Sequence, residues 1–231
     1  MRHLRGKEVG QLPRLIEAYI GEYASGKSEN AVNRALELAA QGREVTIVDL
    51  DLVEPCYTLR PLKKMLQERG LTVLAWETKE MIGLGEIGNI LRPEVRFCLF
   101  RPGDVILDVG YGVYGAQVFN LIEGAEGNPD LKVYVVINVA RPMTSTVSDI
   151  VAHVRELGRA DGLINNSHLG DETEVEFVQE GARIVAEAAR ILGIPVVATS
   201  VMEELAPLIG ERDCCGHPVR VLKRYMPRAF W

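Results

Sequence analysis

The chain has 231 residues, 47% hydrophobic and 25% charged, which is enough apolar mass for a sheet buried on both faces. A formal net charge of −6 argues against broad attachment to nucleic acid, and no apolar run reaches the roughly 18 residues that span a bilayer. The opening MRHLRGKEVGQLPRLIEAYI lacks an apolar export segment, and Cys56, Cys98, Cys214 and Cys215 do not make a disulfide framework, so a reducing cytoplasm is expected.

Short apolar runs alternate with helical periodicity along the chain, the pattern of βαβ units and a mainly parallel sheet. RLIEAYI (14–20) is the first expected strand. The helix SENAVNRALELAAQG follows, with Val32, Ala35, Leu36 and Ala39 on one stripe and Gly42 as its stop. EVTIVDL (44–50), LTVLAWE (71–77), DVILDVG (104–110) and KVYVVIN (132–138) are the next strands. TSTVSDIVAHVRELG turns Val147, Ile150, Val151 and Val154 inward before Gly158. GLINN (162–166), the long helix ETEVEFVQEGARIVAEAARILG and IPVVATS (194–200) complete the alternation. VEPCYTLRPL (53–62) and MIGLGEIGNILRP (81–93) interrupt it, and both follow strand C termini, where open α/β sheets carry their ligands. In the tail GHPVRVLKRYMPRAFW, alternating Val219, Val221, Lys223 and Tyr225 suit an edge strand, and the basic and aromatic content suits an anionic surface. Packing on the domain is the favoured reading, and membrane binding is not expected. The expected architecture is one three-layer α/β domain over 1–231, a mainly parallel twisted sheet with helices on both faces and a C-terminal extension from about 211.

Between the first strand and the first helix lies Gly21-Glu22-Tyr23-Ala24-Ser25-Gly26-Lys27-Ser28, which fits the phosphate-loop pattern G-x-x-x-x-G-K-[ST]. Glycines let backbone N–H groups converge on phosphate oxygens, and the helix N terminus adds partial positive charge. Gly21, Glu22, Tyr23, Ala24, Ser25, Gly26, Lys27 and Ser28, with Glu29 after them, are the expected nucleotide contacts. Lys27 neutralises β- and γ-phosphates, and the Ser28 hydroxyl ligates Mg²⁺. TIVDLDLVEP ends a strand with Asp49 and Asp51, alternate residues that share a side if the strand persists. VILDVGYG ends another with Asp108, followed by Gly110 and Gly112, as suits a carboxylate beside Mg²⁺ and a loop that senses the γ-phosphate.

This order of phosphate loop, D-x-D and strand ending D-x-G resembles the MinD/ParA and cobyrinate-synthase branch of P-loop NTPases, the SIMIBI class, from about Arg14 to Ile209. The resemblance implies a Mg-ATP site with Asp49 at the metal, Asp51 positioning the attacking water and Asp108 as a second metal-side carboxylate. It also implies base recognition by an asparagine after a G-x-x-x-N strand, here Gly162 and Asn166, with Asn138 as a neighbour. The alternative for Asn165 and Asn166 is a turn. No N/T-K-x-D guanine signature is present, so ATP is favoured over GTP. Members that hydrolyse ATP as sandwich dimers carry lysine after the first loop glycine. Glu22 stands there, and a carboxylate does not replace an ammonium that reaches a partner's phosphates. That argues against this style of dimer activation and leaves other homodimers open. Glu22 is left to face solvent, pair with a basic residue or hold a substrate's cation.

Three functions fit: a slow ATPase acting as a nucleotide-dependent switch or assembly factor for a protein partner, an ATP-dependent small-molecule synthetase or kinase, and a non-hydrolysing sensor. The first is favoured. The segment after D-x-D, with Glu54, Tyr57, Arg60 and Lys63, is as readily a switch as a plain connection. CCGHP, with Cys214, Cys215 and His217, could ligate a soft metal, but it lacks a recognised metal spacing and is expected to be structural. His168 is expected to be a solvated loop histidine.

Overall fold

The computed structural model describes residues 13–51, 59–75 and 92–226. The expected loop contacts at Glu54 and Tyr57, and most of the glycine-punctuated 81–93 segment, lie outside the described residues.

Eight strands form one sheet in the order β3-β2-β4-β1-β5-β6-β7-β8, and every pairing is parallel. They are β1 (Ile16–Gly21), β2 (Val45–Leu50), β3 (Thr72–Leu74), β4 (Asp104–Tyr111), β5 (Leu131–Ile137), β6 (Gly162–Asn165), β7 (Val196–Met202) and β8 (Val219–Leu222). The tail packs on the domain, the favoured reading, and supplies an edge strand that ends at Leu222, short of the alternation to Tyr225. β1 lies between β4 and β5, and all six of its residues are buried, as helix-covered parallel strands require.

Two apolar layers flank the sheet. Ile16, Ala18 and Ile20 of β1 face a core that includes Ile150, Val151 and Val154 of α5 (Val147–Leu157), which follows the short helices α3 (Pro93–Arg96) and α4 (Gly112–Ala116), and Val185 and Ala188 of α6 (Val175–Leu192). Tyr19 points the other way, toward Ala31, Val32, Ala35 and Leu38 of α1 (Lys27–Ala40) and Leu66 of α2 (Lys63–Glu68). The α1 stripe differs from expectation: Leu38 is buried, and Leu36 and Ala39 are half-buried.

α1 also carries a strap. After β8 the chain crosses it, and Asn33 exchanges hydrogen bonds with the backbone of Lys223 (2.9 Å to O, 2.8 Å from N). Glu29 accepts the N–H groups of Tyr225 (2.6 Å) and Met226 (3.2 Å). Tyr225 then meets Arg69 beyond α2, through a 3.0 Å hydrogen bond and a guanidinium 5.2 Å from its ring centre. No helix among the described residues is long and apolar enough to cross a membrane.

Candidate functional site

The C-terminal end of β1 runs into a tight loop and then α1. Gly21 lies so close to β5 that a Cβ there would stand 2.5 Å from the Val136 carbonyl. Ala24 has φ 55°, the one positive φ at a non-glycine among the described residues, and Gly26 has φ 89°. A Cβ on Gly26 would sit 2.1 Å from Nδ2 of Asn166, so the position needs glycine for backbone and space alike. Left-handed residues next to right-handed ones turn consecutive N–H groups inward, the geometry of an anion nest. No side chain caps α1, so its first-turn donors belong to the same concavity.

β2 and β4 are in register with Asp49 opposite Asp108, placing two buried carboxylates on neighbouring strands beside the loop. Ser28 Oγ donates to Asp108 Oδ1 at 3.0 Å. Asp108 Oδ2 is buried and has no hydrogen-bond partner among the described residues, and the same is true of Ser25 Oγ. Burial pushes the Asp108 carboxyl up to about 8; Lys27 and the Ser28 hydrogen bond lower it, and Asp49 and Asp51 raise it further. Lys27 is buried, with Nζ 5.9 Å from the ring centre of Tyr111. Tyr23 packs edge-on against Tyr111 at 5.6 Å. A carboxylate with an unpartnered oxygen, a hydroxyl beside it and a lysine at a helix N terminus fit a small hard dication and a polyphosphate.

The other expected contacts are differently engaged. Asp49 Oδ1 accepts the N–H of Asp51 (3.0 Å), and Oδ2 takes Nε of Arg60 (2.6 Å), so the expected metal carboxylate is already bound inside the protein. Arg60 also donates to the Asp51 carbonyl at 2.8 Å. Asp49 is raised above its usual range by burial, with Arg60 opposing. Asn138 is a loop staple: Nδ2 donates to His168 O (3.2 Å), and Oδ1 accepts from the N–H groups of Ala140 (3.0 Å) and His168 (3.2 Å). Asn166 donates to the Ser25 carbonyl at 2.7 Å, bracing the loop from behind. Glu29 serves the strap rather than the loop. Glu22 accepts the N–H of Tyr23 (2.9 Å), and its Oε2 lies 3.9 Å from Nδ1 of His153 on α5, whose imidazole burial holds below its usual range.

A cleft of about 50 Å³ lies beside the loop, lined in part by Gly26, Glu29, Asn166, His168, Ser200 and Arg224. His168 is not the solvated loop residue expected: burial, then Arg141 and Arg224, hold its imidazole down at about 4. Arg224 pairs with Asp171 at 2.6 Å, linking the strap to the loop after β6.

The same fold occurs in solved structures. Cell division protein FtsY from Thermotoga maritima matches with TM-score 0.57 and 17% identity over 82% of this chain and 62% of that chain. Signal recognition particle receptor FtsY from Elizabethkingia anophelis, in complex with GDP, matches with TM-score 0.55 and 12% identity over 85% of this chain and 60% of that one. This chain has the P-loop NTPase fold. It spans about three fifths of the length of those structures. No family model and no curated relative matches the sequence.

The sequence weighed Arg60 evenly between switch and connection and did not foresee its hold on Asp49. Nor did it single out Tyr111, one residue before the Gly112 that it did mark. Neither residue belongs to a motif, so only the folded geometry draws it in.

Proposed function

We propose that the chain is a cytoplasmic nucleotide-dependent switch, a single unit that binds a nucleoside triphosphate with Mg²⁺ and hydrolyses it slowly to gate a protein partner. The observation that carries this reading is the Ser28–Asp108 contact at the mouth of the loop, with one Asp108 oxygen buried and unpartnered. Ser28 and Asp108 would hold the metal, whose chemistry is to neutralise charge on the phosphates. Lys27 and the uncapped N–H groups of the first turn of α1 would orient the polyphosphate. Asp51, buried beside Asp49, is assigned to water positioning, as the family resemblance implies. Asp49 is reassigned from the metal to Arg60, because both of its oxygens are engaged.

The base is read into the cleft beside Gly26, where Asn166 contributes a wall and Asn138 does not. ATP is favoured on the absence of an N/T-K-x-D signature, and the GDP held by one fold neighbour makes GTP the necessary competitor. Calorimetric titration with ATP and with GTP, each with Mg²⁺, tests the reading. Binding of ATP that is lost in Lys27→Ala supports it. Unchanged affinity in Lys27→Ala, or binding of neither nucleotide, overturns the site, whereas tighter binding of GTP overturns only the base assignment.

A further inference from the structure

The turn that feeds β8 gathers metal-ligating side chains well outside the motif residues. Asp213, Cys215 and His217 each bring a donor atom within 4.8 Å of the other two. The turn is built to hold them. Asp213 N donates to His217 O (3.0 Å), Gly216 N to Asp213 O (3.0 Å), and Arg212 to Gly216 O (2.6 Å). The Asp213 side chain is shielded from solvent. Its Oδ1 accepts the N–H groups of Cys215 (2.8 Å) and His217 (3.0 Å), and its Oδ2 accepts the Thr199 hydroxyl (2.6 Å). That same Oδ2 lies 3.2 Å from His217 Nδ1. The fold therefore positions the carboxylate and places the imidazole and the thiol beside it.

The spacing fits coordination. Oxygen and nitrogen ligands about 2.0–2.1 Å from a tetrahedral ion stand about 3.3 Å apart, close to the 3.2 Å between Asp213 and His217. Cys214 does not belong to the triad. Its thiol lies 3.9 Å from that of Cys215 and donates to the Gln179 carbonyl at 3.4 Å.

We propose that Asp213, Cys215 and His217 bind a thiophilic divalent transition-metal ion of the zinc type. The ion sits between Asp213 Oδ2 and His217 Nδ1, with the imidazole in the tautomer that leaves Nδ1 free to ligate. Cys215 releases its thiol proton to solvent, neutral His217 keeps its proton on Nε2, and water fills the fourth position. Asp213 keeps its bonds to Thr199 and the backbone, which hold the carboxylate in place.

The test is a titration of the reduced, metal-free full chain with Co²⁺, followed by competition with Zn²⁺. One equivalent should bind, with thiolate-to-cobalt charge transfer and tetrahedral d–d bands. Cys215→Ser and His217→Ala should each weaken binding by about 10-fold or more, while Cys214→Ser and Lys27→Ala bind as the parent does. Cys215 is exposed and His217 half-exposed, and matching melting curves of the metal-free variants establish that each is folded. No binding, retention in His217→Ala, or equal loss in Cys214→Ser overturns the triad. The Lys27→Ala arm keeps this outcome separate from failure of the nucleotide reading.

Discussion

Arg60 lies across Asp49, with Nε 2.6 Å from Oδ2, and the two side chains are 3% and 0% exposed. Such a pair adds little over a well-packed apolar substitute, but removal of one partner leaves a charge stranded. Arg60→Met should therefore lower the unfolding free energy by about 3 kcal/mol or more. The double variant Asp49→Asn, Arg60→Met should recover most of that loss. Urea unfolding near pH 7 measures both, and a single variant as stable as the parent would refute the assignment of Arg60 to Asp49.

Asp108 carries the opposite tension, because its partner is missing on one side. In the fold it holds its proton to about pH 8, against 3.8 for an ordinary aspartate. The folded state thus binds more protons between those values, and stability falls as pH rises through that window. Asp108→Asn should raise stability at pH 7.5 by at least about 1 kcal/mol and flatten its pH dependence. It should also shrink the gain in nucleotide affinity that Mg²⁺ brings, because the amide replaces the metal-side carboxylate. Melting curves across pH, with nucleotide titrations in Mg²⁺ and in EDTA, report the two effects separately.

Gly26 and Asn166 interlock. Gly26→Ala drives a methyl into the Asn166 amide and places alanine at φ 89°. The two costs separate in a cycle: Asn166→Ala removes the clash, leaving about 1–2 kcal/mol of left-handed strain. Gly26→Ala should consequently be less damaging in the Asn166→Ala background than in the parent, by thermal unfolding. Additive effects would mean that the amide is not what excludes a side chain there.

His168 gives an acid-side signature. Its imidazole is held near 4 in the fold, against 6.5 in the open chain, so the unfolded state takes up the proton first. Stability from this group is complete above pH 6.5 and declines as pH falls toward 4. His168→Asn should make unfolding less pH-dependent across that interval, as followed by circular dichroism.

Much of this was written in the chain. Alternating apolar runs foretold β1 through β7, because buried parallel strands cannot hide their composition. The loop was legible because its chemistry needs fixed residues at fixed spacing. What stayed hidden depends on long-range contacts. Asp49 reads as a metal ligand, and no spacing announces that Arg60, 11 residues later, donates to it. Asn138 looks like a base reader until both ends of its amide are tied to the loop at 140 and 168. Glu29, one residue past the motif, looks like part of the loop until the strap arrives from residues 225 and 226.

The strap makes the far end of the sequence part of the footing on which the phosphate loop stands. Lys223, Tyr225 and Met226 grip α1 at Asn33 and Glu29, within a turn or two of Lys27 and Ser28. A protease cut just before Lys223 would sever none of the motif, yet it would leave Glu29 as a half-buried acid without its donors. Whatever pulls on the segment after β8 therefore pulls on the first turn of α1.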